Sequence, residues 1–285
     1  MRIGAHVSAA GGADKTIGRA VDIGAEAVQF FPSSTRSWRF NPVDEKTAAE
    51  FKALAAEHAI GPNVFHAVYM VSLPSPDPKL SANSIQSLVN YMNTAGDLGV
   101  MGVIFHLNSH KGSGFEAVFR RIVENANRVL DNSPADVQLI IENSAGMGDH
   151  IGSKFSEIGR IIRAVDDPRV RACLDTQHAF AAGYDLRTPG GVSAMLDEFD
   201  REIGLDLLAA VHCNDSKREL GFGVDRHENI GEGFMGIEAF ESVLANPAFK
   251  DVPFYLEVPG YEGEGPDKPN VDKLKAIRAQ LGAAG

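Results

Sequence analysis

Eight short apolar runs recur along this 285-residue sequence, each followed by a stretch of helical character. They fall at residues 2–6, 27–31, 63–67, 102–106, 137–143, 171–176, 208–214 and 253–258. The runs are rich in valine and isoleucine and nearly continuous in hydrophobicity, as expected of strands buried on both faces. The segments between them carry apolar residues at helical spacing. Examples are Phe51, Leu54 and Ala55, then Phe115, Val118, Phe119 and Ile122, then Phe155, Ile158, Ile161 and Ile162. Strand alternating with helix builds βαβ units around a parallel sheet. Eight units within about 250 residues have the size of a (β/α)8 TIM barrel. No Pro/Ser-rich linker or compositional break divides the chain, so residues 1–285 are predicted to form a single barrel domain. The stretches LPSPDPKL (73–80) and PGYEGEGPDKP (259–269) each follow a strand at once and are predicted as βα loops.

In such a barrel the C-terminal strand ends converge on one rim, where catalytic groups gather. Here the apolar runs close on His6, Gln29, His66, His106, Glu142, Asp175, His212 and Glu257. Imidazoles and carboxylates in buried positions need compensation, and a metal ion compensates a mixture of both. Two loop pairs add to the set. Asp175 and His178 lie about one turn apart and face one centre if a helix starts after Asp175. Asp225 and His227 are two apart, which places both side chains on one side of extended backbone. The candidate metal ligands are therefore His66, His106, Glu142, Asp175, His178, His212, Asp225, His227 and Glu257. They exceed the needs of one tetrahedral ion, so two or three metals are expected, with carboxylates free to bridge. That layout suits displacement at phosphorus. Nitrogen and carboxylate donors suit zinc, with manganese or iron as other occupants. His6 and His110 stay open between orienting ligands and holding a phosphate. His58 and His150 read as solvent-facing, and Asp185 as fixing a loop.

A net charge of −11 argues against broad attraction to a polyanion, so any nucleic-acid contact must be local. The total does not exclude one, because carboxylates that hold divalent cations are counted as negative. Cys173 and Cys213 each sit in an apolar run and read as packing thiols. No window approaches about 18 consecutive apolar residues, and MRIGAHVSAAGG lacks the features of a secretory leader. A soluble, cytoplasmic protein is the expectation.

The blocks GAHVSAAGG, HAVYMVSLPSP, FHLNSHKG, IIENSAGMGDHIG, CLDTQHAFAAGYD, HCNDSK, VDRHENIGEG and YLEVPG occur in that order over essentially the whole chain. Together they resemble the endonuclease IV family of apurinic/apyrimidinic endonucleases. The resemblance implies a trinuclear zinc site. His66, His106 and Glu142 would hold one ion, Glu142 with Asp175, His212 and Glu257 a second, and His178, Asp225 and His227 a third. Glu142 would bridge and serve as the catalytic carboxylate. The implied reaction is hydrolysis of the phosphodiester 5′ to an abasic deoxyribose in double-stranded DNA, leaving a 3′-hydroxyl and a 5′-deoxyribose phosphate, with trimming of blocked 3′ ends. A flipped abasic nucleotide has no base to unstack, which lowers the cost of extrusion.

By the same resemblance Arg36, in FPSSTRSWRF near Trp38, and the pair Tyr69 and Met70 enter the duplex at the lesion. Lys111, Lys217 and Arg226 are cations available to phosphates. The chain departs from the family pattern at Gln177, where cysteine is usual, and at Met70, where leucine is common; Ala67 and Val68 also differ from the usual variants. None of these removes a ligand. A monomer is expected. The rival readings are a sugar isomerase or epimerase of the related barrel superfamily, with one or two metals, and a metal-stabilised scaffold that binds damaged DNA without cutting it. The first leaves His178, Asp225 and His227 without a shared purpose, and the second requires closed coordination.

Overall fold

The eight predicted strands close on one another. In the computed structural model, which describes residues 1–283, they are β1 (Ile3–His6), β2 (Val28–Phe30), β3 (Val64–His66), β4 (Gly102–His106), β5 (Gln138–Glu142), β6 (Val170–Asp175), β7 (Leu208–His212) and β10 (Phe254–Leu256). All neighbours pair in parallel, in the order β1-β10-β7-β6-β5-β4-β3-β2. Two further strands, β8 (Asp215–Ser216) and β9 (His227–Glu228), pair antiparallel into a ribbon beyond β7. The helices are α1 (Asp14–Asp22), α2 (Glu45–Glu57), α3 (Pro78–Leu98), α4 (Phe115–Leu130), α5 (Phe155–Val165), α6 (Thr176–Ala182), α7 (Pro189–Glu202), α8 (Gly236–Ala245) and α9 (Lys268–Ala283).

Local sequence explains where these elements begin. In α3, Pro78 takes the first turn, where its missing N–H costs nothing, and the Asp77 carboxylate accepts from the Leu80 N–H at 2.8 Å. The proline patch expected as loop thus ends inside a helix. In α5, Phe155, Ile158, Ile161 and Ile162 are all buried, so the apolar stripe read at helical spacing is the face that packs on the barrel.

Alternation along the strands builds the interior in two layers. Ala27, Val64, Ile104, Ile140, Cys173, Ala210 and Tyr255 form a separate buried cluster inside the barrel. Each stands two residues before a polar strand end: Gln29, His66, His106, Glu142, Asp175, His212 and Glu257. With a side-chain period of two, an apolar residue pointing into the lumen forces its neighbour two places on to point there as well, one layer higher. The eighth strand contributes Gly4 below His6. A Cβ on Gly4 would lie 2.9 Å from the Tyr255 ring and 2.7 Å from the Ala27 carbonyl, so glycine there makes room for the one aromatic side chain of the layer. Truncating a residue of this floor, as in Ile140→Ala, removes roughly 2–5 kcal/mol. Among the described residues, no helix is long and apolar enough to cross a membrane.

Candidate metal centre

Above the apolar floor, the strand ends bring their polar side chains together. β4 and β5 pair so that His106 stands opposite Glu142. A register shift at Ala172/Cys173 in β6 brings Asp175 opposite His212 of β7. The Glu142 carboxylate is completely buried and lies among four imidazoles. Oε2 is 3.1 Å from His66 Nε2 and 3.3 Å from His106 Nε2, while Oε1 is 3.1 Å from His178 Nδ1 and 3.0 Å from His212 Nδ1.

Asp175 does two things at once. As the N-cap of α6 its Oδ1 accepts from the His178 N–H at 2.8 Å, which starts the helical turn that swings His178 back over the strand ends. Its Oδ2 lies 3.8 Å from His212 Nδ1 and 3.7 Å from His227 Nε2. Glu257, one residue past β10, lies 3.3 Å from His212 Nδ1 through Oε2. Asp225 and His227 do face one side, as extended backbone requires. The two oxygens of Asp225 are 3.3 Å from His178 Nε2 and 3.3 Å from His227 Nε2.

Four sets of potential ligand atoms each fall within 4.8 Å of one another. They are His66, His106 and Glu142; Glu142, Asp175, His212 and Glu257; His66, His212 and Glu257; and Asp175, His178 and His227. Eight of the nine expected ligands are in these sets, and Asp225 stands beside the last. Each of the three carboxylates Glu142, Asp175 and Glu257 belongs to two sets and is placed to be shared between neighbouring ions; Glu142 alone among them has four imidazole nitrogens within 3.3 Å.

Tests of fit come from the atoms themselves. Among the described residues, Glu142 Oε1, His178 Nε2, His212 Nδ1 and His227 Nε2 are buried without a hydrogen-bond partner. Such orphans are costly unless a cation meets them. The opposite nitrogens of these three rings, and of His66, are engaged. His66 Nδ1 lies 2.7 Å from the Ala67 carbonyl, His178 Nδ1 3.0 Å from the Asn143 carbonyl, and His227 Nδ1 3.2 Å from the Glu257 carbonyl. His212 Nε2 lies 2.7 Å from Gln29 Oε1. Each of these oxygens only accepts, so the outer nitrogen carries the proton and the inner one presents a lone pair. That is how histidine ligands are oriented in metal sites.

Titration behaviour agrees. Burial pushes the Glu142 carboxyl up, but His106, His212 and His178 outweigh it and hold the group well below the ordinary carboxylate range. Burial likewise pulls His178 and His212 down. Asp175, Asp225 and Glu142 outweigh this at His178, and Cys173, Glu257 and Glu142 at His212, so both imidazoles bind a proton well above the usual value. His106, with less compensation, is pushed down by burial to about 4. A centre with this many facing carboxylates gathers protons wherever it lacks a stronger cation.

The supporting residues are less visible in the sequence. Gln29 links three members: it accepts from His212, donates to Glu257 Oε1 at 2.6 Å, and sits 3.0 Å from His6 Nδ1. Asn143 accepts from the Asp175 N–H at 2.6 Å, and Asn214 donates to Asp175 Oδ2 at 2.7 Å while accepting from the Glu257 N–H at 2.7 Å. Their only sequence signal is that all three stand within two residues of the C-terminal end of a strand. Of the two open histidines, His6 joins this supporting layer. His110 does not: its Nδ1 accepts from the Gly114 N–H at 3.2 Å and closes the turn before α4. His58 is exposed, as read from the sequence, while His150 is half-buried. An antiparallel bridge pairs His150 with Ser109 of the loop after β4. His150 then lines a cavity of about 190 Å³ with Tyr69, His106, Met147, His178 and Asp225. Asp185 fixes its loop by pairing with Arg187.

The residues expected to meet DNA surround this centre on loops. Tyr69 is 62% exposed, with its ring 6.0 Å from that of His66. Met70 is half-buried against the core. Arg36 is exposed and lines a cavity of about 560 Å³ with His6 and Phe31. Lys111, Lys217 and Arg226 are exposed.

Residues 17–280 match the family model described as the xylose isomerase-like TIM barrel. A probable endonuclease 4 of Methanoculleus marisnigri is 39% identical over 277 residues, covering 96% of this chain and 98% of that protein. One from Halothermothrix orenii is 39% identical over 276 residues, covering 96% and 99%. Among solved structures, endonuclease IV from Thermus thermophilus superposes with a TM-score of 0.85 at 33% identity, over 99% of this chain and all of that one. With a model match over most of its length and relatives of this identity along both chains, the protein belongs to the endonuclease IV family of xylose isomerase-like TIM barrels.

Proposed function

We propose that this protein is a DNA repair endonuclease that hydrolyses the phosphodiester 5′ to abasic sites in double-stranded DNA, leaving a 3′-hydroxyl and a 5′-deoxyribose phosphate, and that it also trims blocked 3′ ends. The observation that carries the reading is the Glu142 carboxylate, fully buried with four imidazole nitrogens 3.0–3.3 Å from its oxygens. No ordinary packing role explains that density of donors. In this reading three divalent cations, zinc first among them, are held by His66, His106 and Glu142; by Glu142, Asp175, His212 and Glu257; and by His178, Asp225 and His227. What such cations supply when bound is Lewis acidity and neutralisation of charge on a phosphate undergoing displacement.

The chain's own groups do the rest. Glu142 spans two ligand sets and so fixes their separation. Gln29, Asn143 and Asn214 hold the ligands in place, so little reorganisation accompanies the reaction. Tyr69, Met70 and Arg36 enter the duplex and support an extruded abasic nucleotide, whose extrusion is cheap because no base is unstacked. Lys111, Lys217 and Arg226 offer local positive charge to phosphates within an acidic protein.

A duplex carrying a single tetrahydrofuran abasic analogue tests the reading. Zinc-loaded protein is expected to cut it once, 5′ to the analogue, and to lose that activity after prolonged chelation. An uncut duplex at high concentrations of loaded protein contradicts the assignment.

A further inference from the structure

Asp225 and His227 differ from the other ligands in how they are held. The strand-end residues are fixed by the register of the barrel, whereas these two ride on the ribbon of β8 and β9 and the segment between them. Something must keep that segment over α6. Backbone bonds supply part of the answer: the Gly221 N–H donates to the Phe180 carbonyl at 3.0 Å and the Gly223 N–H to the Ala181 carbonyl at 2.9 Å. Both lie toward the tip, Gly223 two residues before Asp225 on the returning arm, and neither touches the outgoing arm.

Gln177 reaches the arms. Its side chain is fully buried on the first turn of α6, between Asp175 and His178. Nε2 donates to the Val224 carbonyl at 3.0 Å, immediately before Asp225, and lies 3.3 Å from Ser216 Oγ in β8. Ser216 Oγ in turn donates to the Arg218 carbonyl at 2.8 Å and accepts from the Arg218 N–H at 3.1 Å, so the contact stiffens the outgoing arm as well. A carbonyl only accepts, so the amide nitrogen must face Val224. The consequence is that Gln177 Oε1 is left buried without a partner among the described residues. An apolar side chain of similar volume would avoid that orphan, so stability alone does not account for an amide here.

We propose that Gln177 is a positioning residue that ties both arms of the 215–228 ribbon to α6 and thereby presents Asp225 and His227 to His178 and Asp175. The inference rests on the trinuclear reading above for the identity of what those four residues hold. The tether itself is a property of the polypeptide.

The test uses the full-length chain with Gln177 replaced by Met, which conserves volume and removes the donor. Zinc binding is followed by competition with a chromophoric chelator, and hydrogen exchange is followed at the amides of 217–226 with and without zinc. One zinc ion is expected to bind at least about tenfold more weakly, the others as in the wild type, and the 217–226 amides to exchange about tenfold faster even without zinc. The apparent Tm without zinc is expected to stay close to that of the wild type, because the lost bonds are offset by removal of the orphan oxygen. Gln177→Leu serves as a second variant with the same expectation should the first fail to fold. Superimposable zinc titrations together with unchanged exchange would overturn the proposal. So would uniform weakening of every ion together with a lowered Tm, the result of a merely structural role. If the wild type itself takes up fewer ions than three, the trinuclear reading falls, and exchange at 217–226 in the zinc-free variant then decides the tether by itself.

Discussion

Glu142 and Tyr69 open onto the same side of the barrel, yet Glu142 is fully buried among four imidazoles while Tyr69 is 62% exposed. The first is the end of a strand whose position is set by its neighbours on both sides. The second stands on the loop after β3, with its ring 5.7 Å from that of Phe31 and 6.0 Å from that of His66. A strand-end group is thus constrained by the whole closed sheet and bonded to several partners at once, while a rim group is constrained by its own loop. Substitutions in the two layers should differ in kind: the inner layer alters metal content and chemistry together, the outer layer alters DNA binding alone.

The largest contrast is expected at Glu142. Glu142→Gln preserves volume but removes a charge shared by two ligand sets, so kcat/KM on abasic duplex should fall by roughly a thousandfold or more, with the circular dichroism spectrum unchanged. Activity within about tenfold of the wild type would mean that the inner layer tolerates change as the rim does.

Gln29 gives a smaller effect of the same kind. Gln29→Leu frees His212 Nε2 and Glu257 Oε1 from their partner. Zinc affinity should drop about 10- to 100-fold, measured by chelator competition, although Gln29 is in none of the ligand sets.

pH separates zinc binding from the stability of the zinc-free fold. His178 and His212 are raised, so in metal-depleted protein they hold protons near neutrality that zinc must displace. Apparent zinc affinity should therefore rise with pH, by about tenfold per unit for each proton displaced, and isothermal titration in buffers of different ionisation heat should detect proton release. The zinc-free fold should behave in the opposite sense. The contribution of these imidazoles is fully present below their unfolded pKa, about 6.5, and is lost as pH rises through their raised values. The depressed carboxyls of Glu142 and Glu257 contribute above about 4.5 and lose that contribution as pH falls through their lowered values. Thermal melts of depleted protein should show a maximum between these limits.

The smallest effects belong to the rim. Tyr69→Ala should weaken binding of abasic duplex by about tenfold while leaving zinc content and Tm unchanged. Lys111→Ala should reduce the slope of log Kd against log salt by about one, as removal of one phosphate contact does. A loss of zinc in either variant would erase the distinction between the layers.

The same contrast explains what is legible in the sequence. Strand ends can be read because apolar alternation fixes the direction of the next polar residue: Ile140 pointing inward makes Glu142 point inward. His178 follows from Asp175 because a helix cap returns the chain over its own start. Gln29 cannot be assigned its role, since its bond to His212 spans 183 residues and an amide at a strand end is chemically ordinary. His150 reads as solvent-facing, and its half-buried place on the wall of the cavity beside His106 and His178 comes with a bridge to Ser109 that no local pattern announces. The β8–β9 ribbon is invisible for a related reason: two-residue strands carry no periodicity.

The most direct measurement is anomalous diffraction at the zinc edge from crystals of the zinc-loaded protein. The arrangement around Glu142 predicts about three peaks, two of them each within about 2.3 Å of a Glu142 carboxylate oxygen. A single peak away from Glu142, or none on the strand ends of β3 to β7, would contradict it.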